Sequence, residues 1–252
     1  MIEIKNLSKS LGNKQVLKDI AFNLPKGGIS SIIGPNGAGK STLLCLMARL
    51  LSLDSGSVAF DGLDIAKTRD DTLAKKISIL TQSNAISSRL SVEQLVMFGR
   101  FPHHRGRPRL ADEEFVTIML ELMELTDIRF DFIDELSGGQ QQRAFIAMIL
   151  AQDTDYILLD EPLNNLDMKH ARNIMKTLKD VADNMNKTII LVIHDINFAA
   201  HYSDYFIGLK QGEIIVRGDV DTVLTQSQIK LIYDIDVSIN IINNKKHIFY
   251  YS

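Results

Sequence analysis

The stretch Gly34-Pro35-Asn36-Gly37-Ala38-Gly39-Lys40-Ser41, with Thr42 directly after it, decides the reading of this 252-residue chain. Residues 28–33 ahead of it form a short, apolar, β-branched run, and residues 41–51 behind it read as a helix. The order is therefore strand, glycine-rich turn, helix. Glycines in such a turn let backbone N–H groups point inward and approach an anion with no Cβ in the way. Thr42 falls on the first turn of the helix, where the positive end of the helix dipole favours negative charge.

Two glycines, a lysine and a serine at this spacing match the P-loop pattern for nucleotide phosphates. Lys40 brings positive charge to the β- and γ-phosphates of ATP, and Ser41 offers an oxygen to Mg²⁺. Average composition would produce the pattern in roughly one random chain of this length in a hundred. The flanking strand and helix lower that further.

Working outward, Tyr156-Ile157-Leu158-Leu159-Asp160-Glu161 is an apolar strand ending in two carboxylates. Asp160, at the strand end, is placed to hold Mg²⁺ through water, and Glu161 to accept a proton from an attacking water. Alone, the pair fits an exposed acidic turn before Pro162 equally well. With a phosphate cradle upstream, the catalytic reading prevails.

Residues 76–80 and 188–194 are further strands, residues 1–5 alternate as a strand, and residues 205–209 and 213–217 are short strands. A helix over 227–233 and a β-rich tail follow. Between 86 and 151 the texture changes: Val92, Leu95 and Val96, then Phe115, Ile118, Met119, Leu122 and Met123, recur at helical spacing. The pattern predicts a single α/β domain over 1–252, with a core of 1–85 and 152–252 and a helical insertion over 86–151. A proline-flanked loop over 99–109 carries Arg100, Arg105, Arg107 and Arg109. It reads equally as a solvated loop or as a contact for a partner helix or anionic lipid headgroups.

Leu136-Ser137-Gly138-Gly139-Gln140, followed by Gln141, Gln142 and Arg143, resembles the signature of the ATP-binding-cassette family. The resemblance runs over essentially the whole chain, with the family's other marks in order. Gln82 follows a strand as the Q-loop residue, Asn165-Leu166-Asp167 stands as the D-loop, and His194 as the switch histidine. The resemblance implies the ABC ATPase fold: a P-loop NTPase, RecA-like core with a mixed sheet and an inserted α-helical subdomain. It implies catalytic roles for Glu161, His194 and Gln82, and Mg²⁺ held by Ser41, Gln82 and Asp160. It also implies that Ser137, Gly138, Gly139, Gln140 and Asp167 complete the nucleotide site of a second subunit, giving a homodimer or a pair with a related cassette. Many cassettes stack an aromatic residue on adenine just before an upstream glycine. Here Leu11 precedes Gly12, so apolar contact from Leu11 and Val16 replaces stacking.

The formal net charge of −3 argues against a nucleic-acid partner. One cysteine, Cys45, allows no internal disulfide and fits a reducing compartment. No apolar run approaches the roughly 18 residues of a membrane span. The expectation is a peripheral subunit on the cytoplasmic face of the membrane, working through transmembrane permease subunits and, indirectly, a substrate-binding protein. A soluble repair or translation cassette would favour fused cassettes, a long coiled coil or a basic surface. A small-molecule kinase would lack residues 136–140. With no membrane domain fused, the expected direction is import. Residues 98–103, 142–148 and 163–167 are similar to the ATPases of ferric-siderophore importers of the catecholate or petrobactin type, with cobalamin and haem importers as near alternatives. Met97, Met119 and Met123 read as core, Cys45 as a buried small apolar residue, and His103 and His104 as lacking metal-ligand neighbours.

Overall fold

The computed structural model describes residues 1–82, 88–164 and 166–250. The chain forms two compact units, Met1–Thr68 with Thr188–Ser252, and Arg69–Lys187. The expected helical insertion over 86–151 falls wholly in the second unit. That unit also holds two strands and a long helix outside the insertion. The boundary expected between 85 and 86 lies outside the described residues.

The first unit opens with β1 (Ile2–Leu11), β2 (Lys14–Leu24), β3 (Gly28–Ile33), α1 (Lys40–Met47), β4 (Ser55–Phe60) and β5 (Leu63–Asp64). The second contains α2 (Asp70–Leu73), β6 (Ile77–Leu80), α3 (Val92–Gly99), α4 (Phe101–His104), α5 (Leu110–Leu122), α6 (Gly138–Ala151), β7 (Tyr156–Asp160) and α7 (Met168–Asn184). The chain then returns to the first unit with β8 (Thr188–Val192), α8 (Ile196–Tyr202), β9 (Tyr205–Lys210), β10 (Glu213–Gly218), α9 (Val220–Val223), α10 (Gln226–Tyr233), β11 (Ser238–Ile242) and β12 (Lys245–Phe249).

Alternation along β1 buries Ile2 and Ile4, and an irregularity at Asn6, φ 47°, shifts the register so that Leu7 is buried next. Its antiparallel sheet runs in the order β2-β1-β4-β5. β3 and β8 instead read as near-continuous apolar runs, because both of their faces are covered. β3 pairs in parallel with β8 on one side and with β9 on the other, and β10 adds antiparallel to β9. Buried Ser31 fits in this strand because its hydroxyl meets that of Ser203 at 2.6 Å.

In the second unit β6 and β7 pair in parallel, with Ile77 opposite Tyr156 and Leu80 opposite Leu159. Helix α7 is amphipathic, burying Ala171, Ile174, Met175, Leu178, Val181 and Ala182 at helical spacing. Each large aliphatic side chain so buried contributes about 1.5–3 kcal/mol.

Four expectations are corrected. The helix after the cradle stops at Met47, not at 51, because Arg49 takes a left-handed φ of 58° and donates to the carbonyls of Ile65 and Thr68, both at 2.7 Å. The strand expected over 188–194 ends at Val192, leaving His194 in the connection to α8. The loop over 99–109 contains the helical turn α4, and Arg100 is held rather than freely solvated: its side chain is 12% exposed, and its guanidinium pairs with the buried Asp112 carboxylate at 3.1 Å. Cys45 is half-buried, not buried.

Candidate functional site

In the first unit, β3 delivers the chain into residues 34–41 with Gly34 at φ 147° and Gly39 at φ 102°. Both glycines are required by space as well as by backbone angle. A Cβ on Gly34 would lie 2.0 Å from the Leu209 carbonyl oxygen, and one on Gly39 would lie 2.7 Å from Leu17 Cδ2. The turn is closed from within by the Ala38 N–H donating to the Pro35 carbonyl at 3.2 Å. It is braced from outside by Gly212, whose N–H donates to the Ala38 carbonyl at 3.1 Å while its own carbonyl accepts from the Lys18 N–H at 2.9 Å.

Lys40 is buried, 5% exposed, and its ammonium donates to the carbonyls of Gly34 at 2.8 Å and Pro35 at 3.1 Å. The charge thus spans the loop formed by Gly34, Pro35, Asn36, Gly37, Ala38 and Gly39. Helix α1, on which Ser41 and Thr42 sit, has no side-chain cap at Gly39 and no acidic residue in its first turn. Its N-terminal N–H groups and dipole are therefore directed at whatever anion the loop takes. His194 lies exposed in the same unit, next to Asp195, which caps α8 through the N–H groups of Asn197 and Phe198. Leu11, expected against the base, ends β1 at the hairpin with β2 and is 46% exposed.

Tyr233 enters this site with no sequence motif to mark it. At the end of α10, its hydroxyl accepts a hydrogen bond from the Gly34 N–H at 3.0 Å. The two residues are 199 positions apart, and no motif joins them.

In the second unit the parallel register of β6 and β7 carries the residues beyond Leu80 and Leu159 to the same end of the pair. There the Gln82 amide donates to the Glu161 carboxylate at 3.1 Å, and the Asn164 amide donates to the same oxygen at 2.5 Å. Glu161 has φ 53°, a left-handed conformation uncommon for a residue with a side chain. Asp160, one residue earlier, is buried at the strand end. Two amide donors hold the Glu161 carboxylate in place at the mouth of the β6–β7 pair.

Ser137 and Gly138 are exposed at the start of α6. Ser137 caps the helix reciprocally with Gln140: its hydroxyl accepts from the Gln140 N–H at 3.3 Å, and its N–H donates to Gln140 Oε1 at 2.9 Å. Gly139 faces Leu166. Gln142 donates to the Pro162 carbonyl at 3.0 Å, which ties the signature helix to the turn that carries Glu161. Arg143 holds the carbonyls of Met123 and Glu124, at 3.2 and 3.1 Å. Asp167 caps α7, accepting from the His170 N–H at 2.8 Å and from its ring at 2.9 Å. These bonds, the backbone one first, hold its carboxyl below the usual carboxylate range. Asn165, read with it as part of the D-loop, lies outside the described residues.

Residues 17–164 match the model of the ABC transporter family. The chain is 51% identical to the petrobactin import ATP-binding protein YclP of Bacillus subtilis strain 168, over the full length of both. It is 42% identical to the petrobactin import ATP-binding protein FatE of Bacillus anthracis, over 95% of this chain and 96% of that one. Among solved structures, a dimeric ATP-binding cassette in a post-hydrolysis state with ADP and Pi superposes with a TM-score of 0.79 at 32% identity, covering 87% of this chain and 99% of the other. The cradle, the signature helix and the carboxylate at the end of β7 therefore stand in a chain of known kind: it belongs to the ABC transporter family, as an ATP-binding, ATP-hydrolysing cassette with that family's fold.

Proposed function

We propose that this cassette energises the import of a ferric siderophore of the petrobactin class. It would do so as a homodimer seated under permease subunits on the cytoplasmic face of the membrane, with a substrate-binding protein delivering the cargo. The likeness to two petrobactin import ATP-binding proteins over nearly their whole length carries the cargo assignment.

Gly34 to Gly39 would cradle the β- and γ-phosphates with backbone N–H groups, and Lys40 would exchange its carbonyl partners for phosphate oxygens. The hydroxyl of Ser41, the carboxylate of Asp160 and the amide oxygen of Gln82 are oxygen ligands of the kind Mg²⁺ takes, and the ion, when bound, would neutralise phosphate charge. Glu161, oriented by Gln82 and Asn164, would accept the proton of the attacking water, with His194 at the γ-phosphate. Ser137 and Gly138, exposed at the head of α6, would meet the γ-phosphate held by the other copy, with Gly139, Gln140 and Asp167 around it. Leu11 would supply apolar contact to the base. The helical stretch within 86–151 would carry the resulting motion to the permease.

Growth of a deletion strain under iron restriction tests the reading. With ferric petrobactin as sole iron source it should fail, and the wild-type gene should restore it. Normal growth on petrobactin with loss of haem or cobalamin uptake would overturn the cargo and leave the cassette assignment standing.

A further inference from the structure

We infer that Tyr233 is a positioning residue for the phosphate cradle: its hydroxyl fixes the Gly34 peptide and, through it, the carbonyl that orients Lys40. The inference rests on the reading of residues 34–41 as that cradle.

Gly34 is gripped on three sides. Its N–H donates to Tyr233 Oη at 3.0 Å, its carbonyl accepts from Lys40 Nζ at 2.8 Å, and the Leu209 carbonyl stands where a Cβ would project. Tyr233 makes the one contact among these three that comes from outside the strand-and-loop framework.

Its own position is set by a separate anchor. It is the last residue of α10, and Asp234 caps that helix in a left-handed conformation at φ 59°. Lys210, at the end of β9, donates to the Leu231 carbonyl at 2.8 Å and to the Asp234 carboxylate at 2.7 Å. Ile232, fully buried, lies against Gly208 of β9. The last turn of α10 is thereby clamped to the strand beside β3, with the phenol aimed at the point where β3 gives onto the loop. Burial pushes the Tyr233 hydroxyl up to about 12, so it is protonated at neutral pH and the contact does not titrate there.

Tyr233→Phe keeps the ring and removes only the acceptor, leaving the Gly34 N–H without its partner. The cradle must then be ordered by the nucleotide itself, a loss of ground-state and transition-state binding alike. ATP hydrolysis measured by phosphate release should show KM raised about five- to tenfold, with kcat within about twofold of wild type and the melting temperature nearly unchanged. Two controls accompany it. Ile229→Val, a loss of packing one turn earlier in α10, should lower the melting temperature and leave KM alone. Lys40→Ala should abolish ATP binding. If Lys40→Ala binds ATP like the wild type, the cradle reading falls and the inference with it. If Lys40→Ala loses binding while Tyr233→Phe keeps the wild-type KM, the inference alone is overturned. The same holds if Tyr233→Phe raises KM only together with a fall in melting temperature like that of Ile229→Val.

Discussion

Glu161 holds a backbone angle that its residue type disfavours, and its carboxylate is gripped by two amides. A left-handed non-glycine residue costs about 1–3 kcal/mol, and it persists where neighbours over-determine it. Pro162 follows directly, and its carbonyl is bound by Gln142 of the signature helix, so the turn is fixed from both sides. The arrangement suits a base that must be aimed at one water. Glu161→Gln keeps the shape and removes the basicity. Steady-state hydrolysis should fall about a hundredfold or more with ATP affinity retained. Turnover near wild type would take Glu161 out of that role.

Helices α3, α5 and α6 are bound together around a part-buried ion pair. Arg100, at the end of α3, pairs with Asp112 of α5 at 3.1 Å, donates to the Ala151 carbonyl of α6 at 3.1 Å, and stacks its guanidinium 4.5 Å from the Phe115 ring centre. Burial works to raise the Asp112 pKa, but the Arg109 N–H and the hydrogen bond and charge of Arg100 bring it below the usual carboxylate value. A carboxylate with a depressed folded pKa contributes stability that is present above its unfolded pKa, about 3.9, and is lost as pH falls through the lower folded value. Asp112→Asn should therefore destabilise the protein by about 2 kcal/mol at neutral pH, measured by denaturant unfolding, and the gap to wild type should close as pH falls below about 4.

This pair also marks the limit of what the sequence discloses about elements. Strands β3 and β7 are legible to the residue because doubly covered strands are written as near-continuous apolar runs. The heads of α1 and α6 were legible because phosphate chemistry and helix capping fix residue types at fixed spacing. From sequence, Arg100 reads with its basic neighbours as part of one loop. Residue type predicts exposure for arginine, and only the fold brings Asp112 and Phe115 to it. The early stop of α1 turns on a left-handed Arg49, which composition does not signal, and Tyr233 reaches Gly34 only through tertiary structure. Strand β2 and helix α7, though patterned, carry no motif and were not singled out.

At the scale of the molecule, the chain holds one phosphate cradle and one exposed signature head, and the Ser137 hydroxyl is occupied in capping its own helix. No helix among the described residues is long and apolar enough to cross a membrane. A related cassette has been solved as a dimer with ADP and Pi. ATP, not ADP, should bring two copies together, each signature head completing the partner's site. Replacing Ser137 with arginine should remove about 1 kcal/mol of cap stability yet leave the monomer folded and able to bind ATP. Its bulk at the head of α6 should bar the partner's γ-phosphate. The most direct measurement is therefore light scattering on Glu161→Gln, alone and combined with Ser137→Arg, in saturating ATP with Mg²⁺. Glu161→Gln should run as a stable dimer in ATP and as a monomer in ADP, and the double variant as a monomer in both. Glu161→Gln that stays monomeric in ATP, or a double variant that dimerises as well as the single one, would rule out the composite site.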